Sequence, residues 1–341
     1  FKMKLGILLP IGSSFKDLKK SGQDQRFINY YLKKYNKSFK KVYIFSYEDE
    51  QIKLPKNCIL IPNKHKFNRF FYSFMLPFLN LRIIKNIDVF RVMQLTGVIP
   101  SILIKIFLRK PFIFTYGYDY FSFAKLENQN IRAIFLKILE KMAVKFSSGV
   151  IITNKKIESY LKEKYPKAKL AYISNGVDIN KFRSNNLTMK QFNNETINIL
   201  SVGRLEKQKN LESLIKAVAL IKDKINLLFI GQGRLKLQLI KLAKKLKVNL
   251  KVIDKVPHDK MAKYYRKADI FCLPSFLEGQ PKALLEAMSC GLPCLAGKYA
   301  GSEEFKKEIM LTGFKPGQID KSLGILIKDI NLRKKLGKNE R

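Results

Sequence analysis

The chain alternates short, nearly unbroken apolar runs with amphipathic helical patterns, and few folds accept that alternation. In the first half the runs are MKLGILLP (3–10), KVYIFSY (41–47), NCILIP (57–62), PFIFTY (111–116), SGVIIT (148–153) and LAYIS (170–174). In the second they are INILSVG (197–203), INLLFIG (225–231), LKVI (250–253), DIFCLP (269–274) and LPCLA (292–296). A strand with one wet face alternates apolar and polar residues, whereas a parallel strand covered by helices on both faces is apolar throughout. Stretches such as IRAIFLKILEKMAVKF (131–146) and LESLIKAVALIKDK (211–224) have helical periodicity and stand between the runs. The pattern is that of α/β units built on parallel sheets. It breaks once, at FRSNNLTMKQFNNETI (182–197), which is polar, Asn-rich and without periodicity. At 341 residues with 46% hydrophobic content the chain is long enough for two cores. The expected organisation is a Rossmann-like domain over 1–181, a linker over 182–197 and a second Rossmann-like domain over 198–341.

Charge and cysteine content exclude some classes. The formal charge of +39 is spread over the chain, since residues 1–180 carry 33 Lys and Arg against 12 Asp and Glu, and residues 181–341 carry 33 against 15. Such a balance favours anionic partners, whether nucleic acid, phosphorylated substrates or an anionic membrane face, and it also fits plain solvated helix surfaces. Cys58, Cys272, Cys290 and Cys294 form no C-x-x-C pair, and only His65 and His258 could join them, so a zinc site is not expected. With few cysteines and no secretory signal, the expected compartment is the reducing cytoplasm. The most apolar segment, FFYSFMLPFLNL (70–81), is interrupted by Pro77 and bounded by Arg69 and Arg82, which is too short and too charged to cross a bilayer.

Ligands of open parallel sheets bind beyond the C-terminal ends of the strands, so the strand-to-helix junctions are where chemistry is sought. SVGRLEKQKN (201–210) leaves its strand through Gly203 and carries Arg204 and Lys209, which suit phosphate oxygens or simply a wet surface. FIGQGRL (229–235) has Gly231 and Gly233 but lacks the third glycine of a dinucleotide fingerprint, and a plain turn is its simpler reading. His258 in VIDKVPHDK (252–260) reads as a surface or capping residue rather than a catalyst. The most informative junction is SFLEGQPKALLEAMSCGLPCLA (275–296). Pro281 suits a first helical turn, Gly291 suits the position after a helix and Pro293 bars continuation, which predicts a helix from about Pro281 to Cys290. Its start offers backbone N–H groups at Lys282 and Ala283 to an anion. Glu278 then precedes the helix and Glu286 lies inside it, a pair able to engage different hydroxyl-bearing parts of one ligand. Cations at one junction and acids at another fit a sugar nucleotide.

With these residues in view, the stretch from about 197 to 337 resembles the donor-binding domain of family 4 of the retaining glycosyltransferases. The order GRLEKQKN, LLFIGQGRL, VPHDKMAKYYRKADIFCLPSFLEGQPKALLEAMSCGLPCLA carries the resemblance. The first half matches more loosely, through ILLPIGSS, SGQDQR, TYGYDY and ISNGVD. The resemblance implies the GT-B fold, in which two Rossmann-like domains face each other. It implies that Arg204 and Lys209 hold the donor diphosphate, with Gly203 beside them. Glu286 would bind the ribose hydroxyls, and Glu278 the transferred sugar, helped by backbone amides after Gly279. Gly22 would approach the donor from the first domain, and Asp119 would act in the loop between the domains. Two departures stand out. The family often has a histidine ahead of the Gly-x-Asp of that loop, and here the place is Tyr116, before Gly117, Tyr118 and Asp119. The chain also stops at LGKNER, where family members continue into a helix that returns to the first domain, so that crossing helix is expected to be missing.

The activity implied is transfer of a hexose, with retention of configuration, from a UDP- or GDP-sugar to a lipid-linked or polysaccharide acceptor. No cofactor and no metal are expected. A basic nucleic-acid-binding α/β protein is the alternative, which explains the charge but not the acids around a helix start. A glycoside hydrolase would use two carboxylates without Arg204 and Lys209, and a nicotinamide oxidoreductase would want a complete G-x-G-x-x-G. The aromatic segment 67–82 and the helix 131–146, with Arg132, Lys137, Lys141 and Lys145 bordering an apolar face, are expected either to pack in the core or to sit on an anionic membrane.

Overall fold

The computed structural model describes residues 2–117, 119–182 and 196–338, which form two compact units, Phe1–Ser174 and Asn175–Arg341. Most of the expected linker, residues 183–195, lies outside the described residues, as does Tyr118. Residues 175–182, expected from the sequence at the end of the first domain, pack with the second unit. Asn175 Nδ2 donates to the Gln280 carbonyl at 2.8 Å, and the Phe182 ring, wholly buried, meets Tyr265 at 5.9 Å.

The first unit is built on seven parallel strands: β1 (Lys4–Leu8), β2 (Lys41–Phe45), β3 (Cys58–Ile61), β4 (Val89–Val92), β5 (Phe112–Tyr116), β6 (Gly149–Ile152) and β7 (Leu170–Tyr172). Their order is β3-β2-β1-β4-β5-β6-β7. The second unit has six: β8 (Ile197–Val202), β9 (Ile225–Ile230), β10 (Asn249–Ile253), β11 (Ile270–Leu273), β12 (Cys294–Gly297) and β13 (Met310–Thr312), in the order β10-β9-β8-β11-β12-β13. Every pairing is parallel. β4 and β13 are additions to the expected strands. Arg91 interrupts the apolar run in the first, and the second has only three residues.

Each sheet has a core on both faces, which is why most of its strands are largely apolar. In the second unit one face is filled by Leu214, Leu239 and Leu323 from the flanking helices, and the other by Tyr265, Leu284 and Phe305. The helix expected over 211–224 covers only Leu211–Val218, because the chain turns at 219–221 to enter β9 at Ile225. The last described helix, Ile330–Lys338, is anchored by Arg333, whose buried guanidinium donates to the Leu326 carbonyl at 2.6 Å and caps the helix Pro316–Lys328. In the second sheet the winding reverses between β8 and β11, which marks the switch point where open parallel sheets take ligands.

Candidate functional site

The loops after β8 and β11 carry most of the residues singled out from sequence. Beyond β8 the chain passes through Gly203, whose φ of +151° lies where a side chain is strained. A Cβ there would stand 2.9 Å from Lys209 Cε, so the Lys209 side chain is laid directly across this glycine. Arg204 is exposed and Nη2 donates to Gln208 Oε1 at 3.3 Å. Gly231 and Gly233 serve the packing of the loops, since their Cβ atoms would fall 1.8 Å from the Gly203 carbonyl oxygen and 2.2 Å from that of Leu205. Only glycine lets the β8 and β9 loops close backbone to backbone, and the plain-turn reading of FIGQGRL missed this contact.

The turn 207–210 docks on the loop after β11. The Phe276 amide donates to the Gln208 carbonyl at 2.9 Å, and the Gln208 side chain bonds the Leu277 carbonyl. Asn210, in the left-handed region at φ +53°, reaches the Pro274 and Phe314 carbonyls at 3.2 and 2.9 Å. This docking brings Lys209 Nζ to 2.5 Å from Glu278 Oε1, with both side chains largely buried. Burial, and next the Glu278 charge, raise the pKa of the nearby Tyr299 phenol. Gly279 follows Glu278 in the same loop, which Asn175 grips through Gln280. The expected helix is Lys282–Ser289, with Pro281 as N-cap and Cys290 as C-cap. Lys282 and Ala283 therefore sit in the first turn, where N–H groups have no partner within the helix.

Glu286 is buried inside that helix. Tyr265 Oη donates to its Oε2 at 2.9 Å, and His258 Nε2 lies 3.1 Å from its Oε1. Burial first, and then the Glu286 anion, push the Tyr265 phenol well above its usual range, so it remains a donor. The surface reading of His258 is corrected here: its side chain is 9% exposed, because the ring is drawn inward to Glu286 and packs edge-on against Phe182 at 5.5 Å. A signal existed in VPHDKMAKYY, since residues seven apart fall on one side of a helical segment. Nothing local showed that Glu286 stands opposite.

The remaining site expectations lie in the first unit. Gly22, at φ +71°, ends the helix Phe15–Lys20 and donates from its amide to the Lys19 carbonyl at 3.1 Å. Asp119 caps the helix Tyr120–Leu126, accepting from the Ser122 amide at 3.0 Å and from the Ser122 hydroxyl. Tyr116 points inward, 1% exposed, and donates to Glu140 Oε2 at 2.5 Å. The Glu140 carboxylate also receives Lys164 Nζ at 2.7 Å and the Tyr160 and Tyr165 hydroxyls, each at 3.0 Å. Tyr116 therefore serves the interior. The sequence reading missed Glu140, although an acid on the apolar stripe Ala133, Leu136, Ala143 was its signal.

Two family models match the chain in succession: the one described as Glycosyltransferase Family 4 over residues 30–181 and the one described as Glycosyl transferases group 1 over residues 183–341. An uncharacterized glycosyltransferase of Methanocaldococcus jannaschii is 29% identical over 235 residues, 64% of this chain and 60% of that protein. The N-acetylgalactosamine-N,N'-diacetylbacillosaminyl-diphospho-undecaprenol 4-alpha-N-acetylgalactosaminyltransferase of Campylobacter jejuni is 38% identical over 113 residues, 31% of this chain and 30% of its own. The UDP-Gal:alpha-D-GlcNAc-diphosphoundecaprenol alpha-1,3-galactosyltransferase of Escherichia coli is 30% identical over 198 residues, 53% of this chain and 50% of its own. The matches thus span from 30% to 60% of these curated relatives' length. Among solved structures, sucrose-phosphate synthase from Thermosynechococcus elongatus superposes with a TM-score of 0.83 at 18% identity, covering 99% of this chain and 93% of that one. Anabaena HepE in complex with UDP-glucose does so at 0.75 and 17%, with the same coverage.

Proposed function

Because the chain belongs to the group 1 glycosyl transferases of the GT-B fold, we propose that it moves a hexose from a UDP- or GDP-sugar to a lipid-linked or polysaccharide acceptor, with retention of configuration. The observation that carries this reading is the gathering of Arg204, Lys209, Glu278 and Glu286 around the loops at the switch point of the second sheet. Arg204 and Lys209 take the donor diphosphate and stabilise the negative charge that grows on it as it leaves. Glu278 accepts hydrogen bonds from the transferred sugar, and Glu286 from the ribose. In the structure Glu278 is the counter-ion of Lys209; a diphosphate claims that cation and turns the carboxylate over to sugar hydroxyls. Positioning and charge stabilisation carry the barrier reduction, without a covalent intermediate on the protein and without a metal. HepE, which binds UDP and UDP-glucose, and the relatives that act on diphospho-undecaprenol acceptors support this choice of donor and acceptor.

The first unit supports a membrane-proximal acceptor. Helix Arg69–Leu79 buries Tyr72 and Leu76 on one side and exposes Phe70, Phe71, Phe74 and Phe78 on the other. Helix Asn130–Phe146 likewise exposes Ile131, Ile134, Phe135, Ile138 and Met142, with Ile131 87% exposed. Helix Val98–Leu108 packs against both and adds Ile106 and Phe107, and the Phe78 and Phe107 rings meet at 5.7 Å. Two of these helices also carry the exposed basic residues Arg69, Arg132, Lys137, Lys141 and Lys145, a combination suited to peripheral attachment to an anionic leaflet. Among the described residues no helix is long and apolar enough to cross a membrane.

The test is release of nucleoside diphosphate from a panel of UDP- and GDP-sugars, with and without vesicles containing diphosphoprenyl-linked sugars. One donor is expected to turn over and to do so faster with vesicles. No release from any donor, with an acceptor present, contradicts the proposal.

A further inference from the structure

His258 stands in a short turn, His258–Lys260, after β10, yet its imidazole has a partner on each nitrogen. Nδ1 lies 3.2 Å from Lys181 Nζ, and Nε2 lies 3.1 Å from Glu286 Oε1. An ammonium has donors only, so Nδ1 must accept from Lys181. The ring proton is thereby sent to Nε2, which donates to Glu286. The tautomer is set from the far side of the ring, by the partner of Nδ1, a device familiar from metal ligands whose second nitrogen is held by an outer partner. The other Glu286 oxygen receives the Tyr265 hydroxyl, buried and kept protonated. With its two oxygens held from different elements, the carboxylate cannot rotate about its Cγ–Cδ bond without losing a bond to His258 or Tyr265. A carboxylate oxygen accepts more than one hydrogen bond, so a Glu286 held in this way can still take ribose hydroxyls.

We propose that His258 is a positioning residue for the nucleoside: through Nε2–H it holds the Glu286 carboxylate at the angle that receives the ribose hydroxyls, with Lys181 fixing the tautomer. This rests on the reading of Glu286 as the ribose acceptor. Substrate does not touch His258, so its loss acts on one part of the ligand. A ligand lacking the ribose hydroxyls gains nothing from a well-aimed Glu286 and is indifferent to His258.

The test is calorimetric titration of the full chain with UDP and with 2′,3′-dideoxy-UDP, or with the guanosine pair if GDP is the nucleotide bound. The variants are His258→Phe, which keeps the ring against Phe182 but has no N–H, and His258→Gln, whose amide can donate in place of Nε2. Wild type is expected to prefer UDP over the dideoxy form. His258→Phe should weaken UDP about tenfold, as for loss of a hydrogen bond to a charged group, and leave the dideoxy form unchanged. His258→Gln should restore most of the preference. A His258→Phe protein that keeps the preference, or a His258→Gln protein that loses it, overturns the proposal, and the glutamine variant decides alone if the phenylalanine variant does not fold. If wild type itself shows no preference, the ribose role of Glu286 is what has failed.

Discussion

Lys209 is held by three coupled facts: Gly203 gives its side chain room to cross, Gln208 and Asn210 pin its turn to the loop after β11, and Glu278 neutralises it. Replacing Arg204 by Ala should leave the fold intact, whereas Lys209→Ala leaves Glu278 buried without its counter-ion and lowers stability; each should lower turnover per folded molecule by about 10²–10³-fold, on the order of 3–4 kcal/mol of transition-state stabilisation. Turnover within threefold of wild type in either variant would sink the diphosphate assignment. The two glutamates should separate by role. Glu286→Gln weakens binding of the free nucleoside diphosphate, because ribose belongs to donor and product alike. Glu278→Gln removes an anion from beside Lys209, so nucleoside diphosphate binding is undiminished while sugar transfer falls. Calorimetry paired with turnover distinguishes them, and equal loss of affinity in both refutes the division.

At the scale of elements, what the sequence showed was what local chemistry encodes. Pro281, Gly291 and Pro293 mark the ends of the helix Lys282–Ser289 to within a residue, because caps and breakers act on their own neighbours. The apolar runs located most strands for the same reason. β4 was hidden by Arg91, and the partners of Glu140 and Glu286 were hidden because they come from distant segments. Glu140 ties β5 to the helices Asn130–Phe146 and Lys155–Lys164 through Tyr116, Tyr160 and Lys164. Glu140→Gln should lower stability by about 2–3 kcal/mol, measured by denaturant titration. It should not alter turnover per folded molecule. Burial, and then Glu140, push the Tyr165 phenol from 10.0 up to about 12. Burial opposes the Lys164 cation, but its bonds to Glu140 and Tyr160 raise it overall. Both groups hold protons more tightly folded than unfolded, so the stability they contribute is complete below about pH 10 and is lost as pH rises toward 12. Melting temperature should be flat through neutral pH and fall above roughly pH 10, less steeply in Glu140→Gln. An equally steep fall in that variant contradicts the linkage.

At the scale of the whole molecule, the proposed function gives the cations at the switch point of the second sheet to a diphosphate, and the apolar face of the first unit, with the basic residues on its helices, to an anionic membrane. The protein should pellet with anionic vesicles at low salt and be released near about 0.5 M salt, where screening falls to a few ångströms. Phe71→Ser combined with Phe74→Ser should halve the bound fraction or more, and a protein that stays in the supernatant at low salt contradicts membrane attachment through this face. Titration of wild type and Lys209→Ala with UDP and GDP in excess EDTA asks whether the switch point of the second sheet is a nucleoside-diphosphate site served by protein cations. Wild type should bind one of the two nucleotides saturably and one to one, and Lys209→Ala should lose at least tenfold in affinity, the scale of one charge-assisted contact. Binding of neither nucleotide, or binding that Lys209→Ala leaves unchanged, contradicts that assignment.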